Sequence, residues 1–352
     1  MSNGKRQVGG RVTILDVAAK SGVAISSVSA ALNGLPGVSE ATRERVRTIA
    51  DGMGYVPSLR AKSLSSKKAF AIGLVVERPA STLEADPFFG AFIAGVERAA
   101  ALRGYSLVLQ MAEDDAEGER RYRELAASRR VDGVILDELR DPDPRIELVQ
   151  ELELAAAGVV PGSIGFPFPV VQQSSAPGVA ELVGHLVGLG HRRVAHVAGP
   201  PGYVHTLERI AAWRDALAEA GLPEGPLLTG DFTYEGGCRA ADVVLGMPAG
   251  ERPTAVVCVN DLCAVGFMAR LQDAGVAIPD DMSVTGYDSI SLGGYIRPRL
   301  TTVRSTPRAV GAAAADLLLD TIDDVDGRQP DVRLAPGAMV VRESTGPAPR
   351  AA

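Results

Sequence analysis

Cysteine is scarce: Cys238, Cys258 and Cys263 are the only three in 352 residues. An odd, scattered trio excludes a disulfide framework, and the apolar neighbours of two of them point to buried free thiols. His185, His191, His196 and His205 cluster in sequence. No Cys or His group has zinc spacing, so no metal is expected. No segment approaches the ~20 apolar residues of a membrane helix, so no membrane partner is expected. No P-loop, no GxGxxG behind a strand and no GxSxG elbow occurs, and no Ser or Cys stands in triad context. The chain reads as a non-enzyme with no cofactor. Its first ten residues, MSNGKRQVGG, are polar and basic with no apolar run behind them. They read as a disordered arm (1–10) and not as a secretory signal, which predicts a cytoplasmic protein. The tail GPAPRAA has no leucine heptad, so a tail-zipped tetramer is not expected.

Charge is unevenly placed. Residues 1–68 hold 11 of the 36 basic residues and 4 of the 43 acidic ones, a balance of +7 against −14 for the rest. A basic front on an acidic body is the asymmetry of a nucleic-acid-binding module attached to something else. Within that front lies RVTILDVAAKSGVAISSVSAALN, residues 11–33. Thr13 reads as an N-cap, with Asp16 placed to hold free amides of the first turn. Gly22 supplies a turn that other residues tolerate poorly. A second helix, about 25–32, turns Val28 and Leu32 to one face and leaves short side chains elsewhere. Ser39 then caps a third helix with Val46, Ile49 and Met53 inward. The pattern predicts an all-α helix-turn-helix head (11–56) whose second helix can enter a major groove.

This head resembles that of LacI/GalR-family bacterial transcription regulators. The resemblance rests on Val12, Thr13 and Ile14, then Asp16, Val17 and Ala18, then Ser21, Gly22 and Val23. It runs on without a gap through Val28, Ser29, Leu32 and Asn33 to Val38, Ser39, Thr42, Arg43, Val46, Gly54, Tyr55 and Pro57. It implies DNA contacts from Thr13, Ile25, Ser26, Ser27, Ser29, Ala30, Asn33, Ser39, Thr42 and Tyr55. The base-reading positions depart from the better-known members. Ile25, Ser26 and Ala30 stand where longer polar side chains and an Arg are usual. Without that Arg the bidentate guanine contact is lost, and Ile25 and Ala30 are left to pack on thymine methyls. Residues 57–68, PSLRAKSLSSKK, resemble the family hinge helix, too short to hold alone. It implies minor-groove contacts from Ala61 and Leu64, with Leu64 wedged between base steps.

From residue 69 strand and helix patterns alternate. AIGLVV, YSLVLQM and VDGVILD read as parallel strands, and the run through ELELAAAG as helix. VVPGSIGFPFPVV then crosses to a second half with strands RVAHVAG, PTAVVCV and SVTGYD. The alternation predicts an α/β core (69–345) of two doubly wound lobes. The N-lobe takes about 69–168 with part of the C-terminal segment; the C-lobe takes about 169–300 with a tail strand. Residues 346–352 read as a disordered tail.

Asp86 to Phe89, LGHRR at 189–193, Asn260–Asp261, Gly286 to Asp288 and PRLTTV at 298–303 extend the same resemblance over nearly the whole chain. It implies a core like that of periplasmic sugar-binding proteins, with an effector held between the lobes by Phe88, Phe89, Arg209, Asn260, Asp261 and Asp288. Carboxylates and an amide beyond strand ends suit vicinal hydroxyls or ring nitrogens. Ser174 and Ser175 replace a common Asp-Asn pair, so a sugar, a nucleobase or another small metabolite all stay open. The chain is expected to be a dimeric repressor on a pseudo-palindromic operator in double-stranded DNA, controlled allosterically by that small molecule. The alternative is an intracellular sugar-binding protein with a non-functional head.

Overall fold

The computed structural model describes residues 12–34, 36–56, 66, 68–78, 80–162, 165–324 and 329–349. The N-terminal arm and nearly all of the linker, including Ala61 and Leu64, lie outside the described residues. The chain divides into two compact units, Met1–Phe70 and Ala71–Ala352.

The first unit carries α1 (Ile14–Ser21), α2 (Ile25–Leu32) and α3 (Glu40–Gly52). Thr13 and Asp16 form a reciprocal capping box at the start of α1. Gly22 ends α1 in the left-handed region, at φ 70°, and α2 leaves at 105° to α1. That angle is the one a helix-turn-helix requires. Val17, Ala18, Val28, Ala31, Val46 and Ala50 form the core where the three helices meet, rimmed by Leu32, Ile49, Met53 and Tyr55.

The second unit opens with β1 (Ala71–Val76), α4 (Ala80–Ala85), α5 (Pro87–Leu102), β2 (Ser106–Met111), α6 (Asp115–Ala127) and β3 (Gly133–Leu136). It continues with α7 (Pro144–Glu151), β4 (Ala155–Val160), β5 (Val170–Gln172), α8 (Ala176–Gly188), β6 (Val194–Ala198) and α9 (Val204–Glu219). Then come β7 (Leu227–Thr229), α10 (Tyr234–Leu245), β8 (Ala255–Cys258), α11 (Asp261–Asp273) and β9 (Ser283–Thr285). The chain finishes through α12 (Ser291–Tyr295), β10 (Thr302–Arg304), α13 (Pro307–Asp323), β11 (Val332–Arg333) and β12 (Ala338–Val340).

Two parallel sheets result. The N-lobe sheet runs β11-β5-β4-β3-β1-β2, and the C-lobe sheet runs β7-β6-β8-β9. The tail serves both lobes. Its β11 extends the first sheet, α13 packs on α5, and β10 pairs antiparallel with β12. Glycine lets α13 and α5 touch: a Cβ on Gly95 would lie 2.1 Å from Arg308 O, and one on Gly311 2.2 Å from Phe92 O.

Four expectations need correction. The alanines after Leu154 form β4, not the end of a helix. Flanked by β3 and β5 and covered by α13, this central strand uses small side chains to admit the helix, and packing overrides alanine's helix preference. β5 remains in the first sheet, so the chain crosses between lobes after Gln172 rather than near residue 168. β7 and α10 were not anticipated. The buried face of α10 is Gly236, Gly237, Ala240, Ala241 and Val244, too small to give a strong apolar signal. Lastly, residues 346–349 are held in place. Gly346 accepts from His191 Nε2 and donates to Ser283 Oγ, and Ala348 N–H donates to Leu189 O. A buried polar node captures a segment whose composition alone resembles a free tail.

Candidate functional site

On the first unit, α2 offers the candidate DNA surface. Its burial is limited to Val28 and Ala31. Ile25 is 46 % exposed, Ser26 is exposed, and Ser27, Ser29 and Ala30 are half-buried around them. The helix starts without a side-chain cap, which leaves its first amides for an outside acceptor. Asn33 Nδ2 reaches Ser29 Oγ at 3.3 Å, and Ser39 Oγ and Thr42 Oγ1 share a hydrogen bond of 3.0 Å at the start of α3. Thr13 is exposed beside Asp16, whose carboxyl is held low by the Thr13 backbone N–H and hydroxyl. Tyr55 packs against the rim of the helical core.

In the second unit, loops at the carboxyl ends of both sheets enclose a cavity of about 140 Å³. That is close to the ~150 Å³ that admits a single benzene ring, and it lies where open parallel sheets bind ligands. From the N-lobe come Arg78 after β1, Asp137 and Glu138 after β3, and Asp86, Phe88 and Phe89 at the start of α5. From the C-lobe come His205 and Arg209 on α9, Phe232 after β7, Asn260 after β8, and Tyr287 and Asp288 after β9. Glu138, Phe232 and Asp288 hold positive φ, at 45°, 67° and 109°. Strained non-glycine backbone on three separate loops marks a site the fold enforces.

Each polar group has a defined surrounding. Arg78 forks onto Glu138, at 3.0 and 2.8 Å, and its guanidinium lies over Tyr203 and Phe232, 4.5 and 4.9 Å from the ring centroids. This ties an N-lobe loop to C-lobe aromatics. The loop after β3, which carries Glu138, joins the C-lobe through Asp141 N–H to Gly202 O and Val204 N–H to Leu139 O. Arg209 donates to Val259 O at 2.5 Å and lies 4.0 Å over the Tyr287 ring. Burial pushes the Asp288 carboxyl up, and Arg209 opposes the shift. Asp86 caps α5 through Phe88 N–H, and burial raises it to about 6, with Asp288 adding to the shift. Burial raises Asp137 to about 7, with the Glu138 charge adding. His205 is held well below its ordinary value by burial and stays neutral.

The sequence-derived residues fare unevenly. Phe88, Phe89, Arg209, Asn260 and Asp288 converge on the cavity. Asp261 does not. It is fully buried, and its carboxylate accepts from Ile290 N–H at 2.8 Å and from the Thr302 hydroxyl at 2.5 Å. Through those two bonds it braces the loop that carries Asp288. Asn260 reaches the cavity wall, but Oδ1 caps α11 through Cys263 N–H and Nδ2 holds Phe232 O. It positions Phe232. Ser174 and Ser175 do not leave the crossover without a carboxylate, since both hydroxyls donate to Glu208 of α9. Sequence reasoning missed Arg78, Asp137, Glu138 and Phe232. The strand-end rule, applied to β8 and β9, points to the first three when applied to β1 and β3; Phe232 follows the unanticipated β7.

Comparison with known proteins bears on the fold and the family. The family described as "Bacterial regulatory proteins, lacI family" matches residues 13–58, and "Periplasmic binding protein-like domain" matches residues 183–345. The chain is 35 % identical to the HTH-type transcriptional repressor PurR of Vibrio atlanticus (strain LGP32), over 89 % of this chain and 93 % of that protein. It is 33 % identical to the ribose operon repressor of Escherichia coli (strain K12), over 93 % and 98 %. Among solved structures, a Lac repressor dimer bound to operator and the anti-inducer ONPF superposes with a TM-score of 0.79 at 27 % identity, covering 96 % of this chain and all of that one. The transcriptional regulator CelR in complex with cellobiose gives 0.72 at 31 % identity, covering 95 % and 100 %.

Proposed function

The chain belongs to the lacI family of bacterial regulatory proteins, and from that premise we propose how its two units divide the work. It is a DNA-binding transcriptional repressor, a homodimer on a pseudo-palindromic operator, and a small molecule sets its affinity for that operator. The head docks α2 in the major groove. Ser29, Asn33, Ser39, Thr42 and Tyr55 contact phosphates and fix register; Ile25, Ser26 and Ala30 face base edges. The linker, with Ala61 and Leu64, meets the minor groove. The effector is a sugar, a nucleobase or a similar metabolite, and it occupies the cavity between Phe88, Phe89, Arg209 and Asp288. By binding the lobes in one arrangement better than another, it shifts the population that grips DNA, by no more than its differential affinity for the two. The protein acts in the cytoplasm, and no catalytic step is assigned to it.

The observation that carries this reading is the bent helix pair of the head, in which α1 is capped by Thr13 and α2 packs Val28, Ala31 and Leu32 inward and leaves its short polar side chains open to a partner. A fluorescence-anisotropy titration with the DNA upstream of its own gene tests it. Specific binding is expected, falling steeply with salt as counterions are released. Failure to prefer any such fragment over random duplex, with and without sugars and nucleobases, overturns the reading in favour of a metabolite-binding protein with an idle head.

A further inference from the structure

We propose that His196 and Trp213 are positioning residues for Arg209, and that the three share one buried, ordered water that holds the guanidinium at the cavity wall. The positioning role rests on the reading of Arg209 as an effector contact; the water itself does not.

A row of polar atoms lies behind the cavity, between α9 and β6. Thr206, Arg209 and Trp213 recur at helical spacing and share one face of α9. His196 stands on β6, on the face it shares with Val194, which Trp213 covers. The ring centroids of His196 and Trp213 are 5.7 Å apart. His196 is 1 % exposed and Trp213 is fully buried. Yet His196 Nε2, Trp213 Nε1, Arg209 Nε and Thr206 Oγ1 have no hydrogen-bond partner among the described residues. Buried polar atoms left unpaired are costly, and native interiors carry few of them.

The four atoms are complementary in kind. His196 Nδ1 lies 2.8 Å from Val257 O, which can only accept. Nδ1 therefore carries the proton, and Nε2 is a bare acceptor. Burial lowers this imidazole to about 4, against the pull of the Val257 bond, and the Arg209 charge adds to the fall. The ring stays neutral and keeps that tautomer. Trp213 Nε1 and Arg209 Nε can only donate. One water meets all three: it accepts from both N–H groups and donates to His196 Nε2, and its second proton is left for Thr206 Oγ1.

Arg209 needs such a hold, because a long side chain has rotamer freedom to lose. Its Nη1 donates to Val259 O at 2.5 Å, and its guanidinium lies 4.0 Å over the Tyr287 ring. Those contacts fix one corner and one face. A second anchor, at Nε, stops the guanidinium from turning about that single bond over the ring. An arginine held in this way loses less freedom when a small molecule binds. His196 and Trp213 do not line the cavity, so they act on its occupant only through Arg209.

Nuclear magnetic resonance of the isotope-labelled full-length protein tests this without any ligand. Trp213 is the single tryptophan, so its indole N–H gives one resonance, absent from Trp213→Phe. The Arg209 Nε–H resonance is assigned by its loss in Arg209→Lys. Both should show a cross-peak to a long-lived water and slow exchange with solvent. Trp213→Phe keeps an aromatic ring in place and removes only the donor. It should speed exchange of Arg209 Nε–H about tenfold or more. His196→Leu should do the same to both N–H groups, and His196→Gln, which keeps an acceptor, should restore slow exchange. Calorimetry with D-ribose and with adenine reads the consequence. A probe that binds should bind Trp213→Phe about fivefold more weakly. Combining His196→Leu with Trp213→Phe should be no worse than the worse single change, since one water serves both. An indole N–H without the water cross-peak, or an Arg209 Nε–H whose exchange ignores Trp213→Phe, overturns the proposal. Trp213→Phe keeps the test decisive if His196→Leu does not fold. A probe that binds wild type and Trp213→Phe equally well overturns the positioning role. If neither probe binds or alters operator affinity, the effector reading fails, and the exchange rates still decide the shared water.

Discussion

The head is built round six buried side chains no larger than valine: Val17, Ala18, Val28, Ala31, Val46 and Ala50. It carries its candidate contacts outside that core, on Ile25, Ser26 and Ala30. The rear unit buries Trp213, Tyr122, Phe92 and Phe267 completely, and its candidate contacts lie among buried groups, on strained loops between two sheets. In the head, then, the residues that would face base edges and the residues that fill the core are separate sets. In the rear they overlap, and a carboxylate kept for a ligand is also a liability to stability. Sequence change should accordingly retune the head freely, while change in the rear cavity should trade binding against stability.

The sharpest test of that contrast is packing. In the rear, a Cβ on Gly237 would lie 2.0 Å from Cys263 O, backbone against backbone between α10 and α11. Gly237→Ala should destabilise the rear by about 3 kcal/mol, seen as an earlier unfolding midpoint in Trp213 fluorescence. Tolerance of this change would mean the rear is no more tightly built than the head. Next in size, Asp288→Asn should weaken effector binding by about 2 kcal/mol, as loss of a charged hydrogen bond does. Operator affinity without effector should not change, and the rear should not melt lower, because a buried charge has been removed. If it melts lower, binding and stability are not opposed there. Ala30→Arg should then shift operator preference toward guanine at one position in each half-site, by about 1–2 kcal/mol, with no loss of head stability. Unchanged selected sequences would show that position 30 does not face bases. Smallest is Gly52→Ala in α3, where an added Cβ meets nothing within 4 Å. It should stabilise the head by about 0.5–1 kcal/mol, measured by far-ultraviolet circular dichroism, while the Trp213 transition stays where it is.

Legibility in the sequence followed the range of the forces involved. The caps at Thr13 and Ser39 and the turn at Gly22 depend on residues within four positions of one another, and all three are where local reasoning places them. Strands β1, β3, β6 and β8 announce themselves as apolar runs because both faces of a parallel sheet are covered. The cavity was half legible. Asp288 follows from its position beyond a strand end, whereas Arg209 rests on the family resemblance alone. The role of Asp261 could not be read this way, since the donors that claim its carboxylate, Ile290 N–H and Thr302 Oγ1, lie 29 and 41 residues away.

Local chemistry in the chain was thus enough to specify a basic three-helix head, an acidic α/β rear, and the two-lobed alternation of its strands, because capping, turn formation and hydrophobic period act over a few residues. Only the tertiary structure decided which lobe β5 and β11 join, that the segment to Ala348 is pinned, and that Asp137, Arg78 and Phe232 meet at one cavity. Those outcomes depend on pairing and burial between segments far apart in the chain, as in the Arg78 fork onto Glu138, 60 residues away, and the Arg209 bond to Val259 O, 50 residues away.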